Sequence, residues 1–209
     1  MDDWKENVLF YGLLSGAGLA AVVGTYLLVK RYAVVGAVEF QGVQYPLTEE
    51  DKLWMARMVV GETGNSPSQE DGAAVLWSVV TRWRTKAAFS DISLIQLMKA
   101  FSQPINPIWA SLNGSGCQRS PSRCTPAHLA RRARITNMPW SSIPQVVRDL
   151  VESFAQGRVS NPIPGYNNFA AAGAISGSSL TSSELPPVTL GGNTFIRDSG
   201  SLQGEVRIV

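Results

Sequence analysis

The segment "AAVLWSVVTRW", from Ala73 to Trp83, is apolar on nearly every side when wound as a helix. A helix of that kind has to be surrounded, so it predicts a central buried helix about which other helices pack. Its start is marked by Ser66, Pro67 and Gln69, which read as N-cap, first helical residue and capping-box partner. Just before it, Leu53, Ala56 and Val60 recur at helical spacing, after Thr48 as a cap and a first turn of acids. That helix stops near Glu62, where "TGNSP" supplies Gly, Asn and Pro. A third helix carries Leu94, Leu97, Met98 and Phe101, a fourth starts at Thr125-Pro126, and a fifth carries Val147, Leu150, Val151 and Phe154 up to Gly157. Beyond Gly157 the chain is rich in Gly, Pro, Asn and Ser, and only "PPVTLGGNTFIRD" reads as a hairpin, turning at Gly191-Gly192.

From Val8 to Val29 no residue is charged. Such a run, at 1.5 Å per residue, would span roughly 33 Å as a helix, enough for a bilayer core. The sequence therefore predicts one transmembrane helix in an N-terminal segment 1–31, a connecting stalk over 32–46, and a mainly α domain over 47–209. Within the apolar run, Gly12, Gly16, Ala20 and Gly24 recur every four residues and would let two copies pack closely, which predicts a homo-oligomer. Lys30 and Arg31 after the run outweigh Lys5 before it and would place the domain in the cytoplasm.

A net charge of +2 across 209 residues argues against a nucleic-acid partner. Arg131, Arg132 and Arg134 cluster, and read as a solvated helix face. The single histidine, His128, leaves little room for a triad or a metal site, and no Gly-rich phosphate loop appears, so no cofactor and no metal are expected. Cys117 and Cys124, in a Gly/Ser/Pro-rich loop, read as a short disulfide formed outside a reducing cytosol.

Glu62 is an acid at the end of an apolar helix. The negative end of the helix dipole and neighbours such as Val59 and Val60 both oppose its ionisation, as a general acid requires. The surrounding "WMARMVVGETGNSPSQEDGAAVLWSVVTRW" resembles the opening of the SleB-like cell-wall hydrolases, with matches at Ala56, Arg57, Glu62, Gly64, Gly72, Val79 and Arg82. "AFSQPINPIW", "NPIPGYNNFAAAG" and "LGGNTFI" resemble later stretches of that family, so that the likeness runs from about Leu47 to Arg197. Thr81 stands where the family often has Asn, and Gly114 to Pro139 has no counterpart.

The resemblance implies a lysozyme-like, mainly α domain (α+β) with a small C-terminal β-hairpin. It implies cleavage of the MurNAc–GlcNAc bond of peptidoglycan by a lytic transglycosylase with Glu62 as the single catalytic acid, or by a muramidase-type glycosidase that uses water and differs only in its product. Ser102, Gln103, Tyr166, Asn167, Asn168 and Phe169 are then the candidates for holding the glycan strand. Partners would be peptidoglycan and the lipid bilayer. A wall-cleaving enzyme has no use in the cytoplasm, so the setting is the periplasmic face of the cell envelope or a bacteriophage virion that penetrates the wall. The alternative is a non-catalytic structural or assembly component of a virion or envelope complex.

Overall fold

The computed structural model describes residues 31–174, 177, 180 and 182–209. Two strands come first, β1 (Val34–Phe40) and β2 (Val43–Thr48), joined by Gln41 and Gly42, both at positive φ. Positive φ at both central residues is the conformation that a two-residue hairpin turn demands. Two long helices follow, α1 (Glu49–Thr63) and α2 (Gln69–Thr85). Shorter ones succeed them: α3 (Leu94–Phe101), α4 (Ser115–Arg119), α5 (Pro126–Thr136) and α6 (Gln145–Ala155). The chain ends in β3 (Asn168–Ala171), β4 (Val188–Leu190), β5 (Asn193–Ile196) and β6 (Val206–Ile208).

Among the described residues the fold is thus α+β, six α-helices with two antiparallel three-stranded sheets ordered β2-β1-β6 and β3-β5-β4. This corrects the expectation of a mainly α, lysozyme-like domain with one hairpin. The segment read as a stalk is a hairpin whose inner face belongs to the core, with Val38 and Leu47 fully buried. Its third strand is the C-terminal β6, where Val38 pairs with Ile208. The hairpin at Gly191-Gly192 is present, and β3 joins it with Phe169 opposite Phe195. The apolar run Val8–Val29 lies outside the described residues; among those described, no helix is long and apolar enough to cross a membrane.

Local signals explain the helix starts. Thr48 and Asp51 form a reciprocal capping box on α1, and Ser93 and Gln96 form another on α3. Helix α2 begins two residues after the position expected from Ser66, because Ser68 is the cap, its hydroxyl accepting from the Asp71 N–H at 3.1 Å. Buried residues on almost every face make α2 the central helix. It packs against α6 where Gly72 meets Leu150, close enough that a Cβ on Gly72 would lie 2.5 Å from Leu150 Cδ2. Edge-to-face contact of Trp77 and Phe154, centroids 5.1 Å apart, closes the same seam. The first sheet covers the end of α6, since a Cβ on Gly36 would strike the Ala155 carbonyl.

Candidate active site

Glu62 stands one residue from the end of α1, which Gly64 terminates at φ 86° with its N–H on the Val60 carbonyl. Val59 and Val60 are buried, while Glu62 itself is half-buried. The preceding residue, Gly61, lets another segment approach α1: a Cβ there would lie 2.6 Å from Pro104 Cβ. Pro104 belongs to a 3-10 turn, Gln103–Ile105, that leaves α3 through Ser102. Gly61 therefore permits the contact that brings Ser102 to the carboxylate. The fully buried Ser102 donates its hydroxyl to Glu62 Oε1 at 2.6 Å.

Burial pushes the Glu62 carboxyl above its ordinary range, and this outweighs the Ser102 hydrogen bond and the nearby Arg131 charge, both of which favour the ionised form. Arg131 reaches this place from α5, its Nη2 donating to the Gly61 carbonyl at 3.0 Å. The arginine cluster on α5 is therefore not a uniformly solvated face. Arg132 likewise turns inward, to the carbonyls of Trp109 (3.0 Å) and Arg123 (2.8 Å). Nothing in the one-dimensional pattern distinguishes Arg131, whose relation to Glu62 exists only after α5 docks beside the 3-10 turn.

Several other acids are committed elsewhere, while the exposed Glu70 has no hydrogen bond or ion pair among the described residues. Asp51 accepts from both the backbone and the hydroxyl of Thr48, and Glu50 pairs with Arg31. Asp71 accepts from Asn193, Glu184 pairs with Arg197 and Asp198 with Arg82. Glu62 has its hydrogen bond from Ser102 and no ion pair among the described residues.

Gln103 follows Ser102 at the same turn, and its amide nitrogen is buried without a hydrogen-bond partner among the described residues. The segment from Tyr166 to Phe169 is placed differently from a loose sugar-holding loop. Tyr166 is buried and donates its hydroxyl to the Pro186 carbonyl at 2.5 Å. Asn167 is fully buried, donating to Thr85 Oγ1 and Ser201 Oγ and accepting from the Asp198 N–H. Asn167 thereby holds the C-terminal segment to α2, while Tyr166 ties its own segment to Pro186. Half-buried Asn168 donates to Asp198 Oδ1 at 2.8 Å, and Asp198 also accepts from Arg82 Nη1 at 2.5 Å. Phe169 packs between Phe101 and Phe195, with centroids 5.3 and 5.6 Å away. Because Phe101 precedes Ser102, this aromatic run braces the turn that carries the Glu62 partner.

Cys117 and Cys124 form a disulfide with Cα atoms 5.4 Å apart, closing the loop that leads into α5. Among the described residues no group of three or more His, Cys, Asp or Glu side chains is placed to hold a metal. Compared with known protein families, with curated proteins and with solved structures, the chain matches none.

Proposed function

We propose that this protein cleaves the glycosidic bond between MurNAc and GlcNAc in peptidoglycan, with Glu62 as its single catalytic carboxyl. The observation that carries this reading is the Glu62 carboxyl, half-buried, raised in pKa by burial and oriented by one serine hydroxyl. A carboxyl kept protonated near neutrality can give its proton to the leaving glycosidic oxygen as the C1–O bond breaks. The carboxylate left behind then accepts the proton of the sugar's own 6-hydroxyl while that oxygen bonds to C1. The product is a 1,6-anhydro end. Glycosidases of the two-carboxylate type need a second acid across the bond, whereas one acid used twice needs none, and the carboxylates of Asp51, Asp71, Glu184 and Asp198 are engaged elsewhere. The disulfide fits an oxidising setting such as the cell envelope or a virion.

The test is Glu62→Gln with purified sacculi as substrate. Loss of clearing should exceed the roughly 10²–10⁴-fold typical of general acid–base catalysis, because one group performs both transfers. Folding should survive. A carboxyl whose folded pKa lies above its unfolded value is easiest to accommodate at low pH, and ionising it costs stability as pH rises past the unfolded value of about 4.3. Gln carries no such cost, so at pH 7 the variant should be at least as stable as the wild type. Near wild-type clearing by Glu62→Gln would exclude the assignment, and sacculi left intact by the wild-type protein would favour a structural component.

A further inference from the structure

Beside Glu62 lies a second, cationic feature. A cavity of about 210 Å³ is lined by Arg123, Arg131, Arg132 and His128 together with Gln103, Pro104 and Ile135, and among the described residues no acid lines it. Three of these residues tie it to the Glu62 site. Gln103 directly follows Ser102, Pro104 packs on Gly61, and Arg131 donates to the Gly61 carbonyl. Arg132 is fixed by two carbonyls, and its guanidinium lies 5.4 Å from the Trp109 ring centroid. The Arg123 guanidinium has no hydrogen bond or ion pair among the described residues, and Gln103 adds a buried amide nitrogen without a partner.

Three arginines line one concavity, with Arg123 and Arg131 exposed there, and an anion bound among them would ease the repulsion that solvent only partly screens. The whole chain is nearly balanced, at +2 overall, so this concentration is local. A concave cluster of one sign draws a counter-charge, and the planar fork of arginine matches the oxygens of a carboxylate or phosphate. We propose that this cavity is a subsite for an oxyanion carried by the glycan, a carboxylate or a phosphate, adjacent to the bond whose leaving oxygen Glu62 protonates. The inference rests on the assignment of Glu62 as the catalytic acid. Muramyl lactyl groups and stem peptides bear carboxylates, and a wall sugar can carry a phosphate; a plain GlcNAc polymer offers neither. The subsite would also couple binding to proton supply. Arg131 favours the ionised form of Glu62, so an anion that neutralises Arg131 would help keep the catalytic proton in place.

The experiment uses the full chain as Glu62→Gln, so that glycans bind without turnover, with and without Arg123→Gln. Calorimetry would compare GlcNAc–MurNAc tetrasaccharides bearing free lactyl carboxylates, the same sugars as methylamides, and a methylamide form carrying a 6-phosphate on a sugar other than the one whose 6-hydroxyl reacts. Inorganic phosphate would be titrated separately while the arginine side-chain N–H resonances are followed. The expected result is phosphate-dependent shifts at the arginines and about two- to fivefold tighter binding of an anionic glycan than of the methylamide. That gap should shrink with Arg123→Gln and with added salt. Preference for the free lactyl sugar identifies the anion as a carboxylate, and preference for the 6-phosphate form alone identifies it as a wall phosphate. Equal affinity for all three glycans, or no response to phosphate, overturns the subsite. Clearing of sacculi by the wild-type protein separates the two ideas: equal affinities with clearing remove only the subsite, and anion preference without clearing removes only the glycosidase.

Discussion

Gly61→Ala is the most searching perturbation of the Glu62 site, because two opposed effects have known sizes. Helix propensity alone favours Ala over Gly by about 0.8–1 kcal/mol in a helix interior. Against it, the new methyl would lie 2.6 Å from Pro104 Cβ and 3.1 Å from its Cγ. Pro104 cannot swing a ring away as a flexible side chain would, and it sits between buried Ser102 and Ile105. Overpacking of such a site costs about 1–3 kcal/mol, so the net expectation is destabilisation of up to about 2 kcal/mol. Relief comes by displacing the 3-10 turn from α1, which carries Ser102 away from Glu62 and lengthens their 2.6 Å hydrogen bond. Misplacement of a catalytic group by about 1 Å can cost 10²-fold in rate, so under the proposed function murein clearing should fall well beyond the loss of folded protein. Urea unfolding gives the stability change, and turbidity of a sacculus suspension gives the rate. A Gly61→Ala protein stabilised by its propensity increment and clearing murein at the wild-type rate would refute the packing argument.

Ser102→Ala removes the hydroxyl that favours the Glu62 carboxylate; under the proposed function a protonated Glu62 is the active acid, so the alkaline limb of activity should move to higher pH, and movement to lower pH would contradict the assigned polarity. Asn167→Ala leaves the Asp198 N–H and two hydroxyls short of a buried partner, so denaturant unfolding should reveal a loss of about 2–4 kcal/mol, and a change below about 0.5 kcal/mol would not fit. Replacing Cys117 and Cys124 together with Ala opens a loop spanning seven positions and should cost about 2 kcal/mol; reductant should then have no further effect on the variant, whereas it should lower the wild-type transition.

Much of the helical layer was legible from local rules. The wholly apolar α2, the capping of α1 by Thr48, the Thr125-Pro126 start of α5 and the stripe of α6 depend on neighbours within a turn or two. Strand pairing does not obey that limit. The residues 32–46 show some β character, but what makes them a sheet rather than a stalk is β6, and Val38 meets Ile208 only when the ends of the domain come together. The same reason separates the two halves of the candidate site. Glu62 could be singled out as an acid in apolar company, because burial by Val59 and Val60 follows from helical periodicity. That Ser102 holds its carboxylate, that Arg131 reaches across seventy positions to the Gly61 carbonyl, and that Asn167 is spent on internal hydrogen bonds are decisions of the packed chain. Sequence determines which segments are amphipathic and where helices can begin; only the closing of α5 and the 3-10 turn onto Gly61 determines which polar groups share one low-dielectric space.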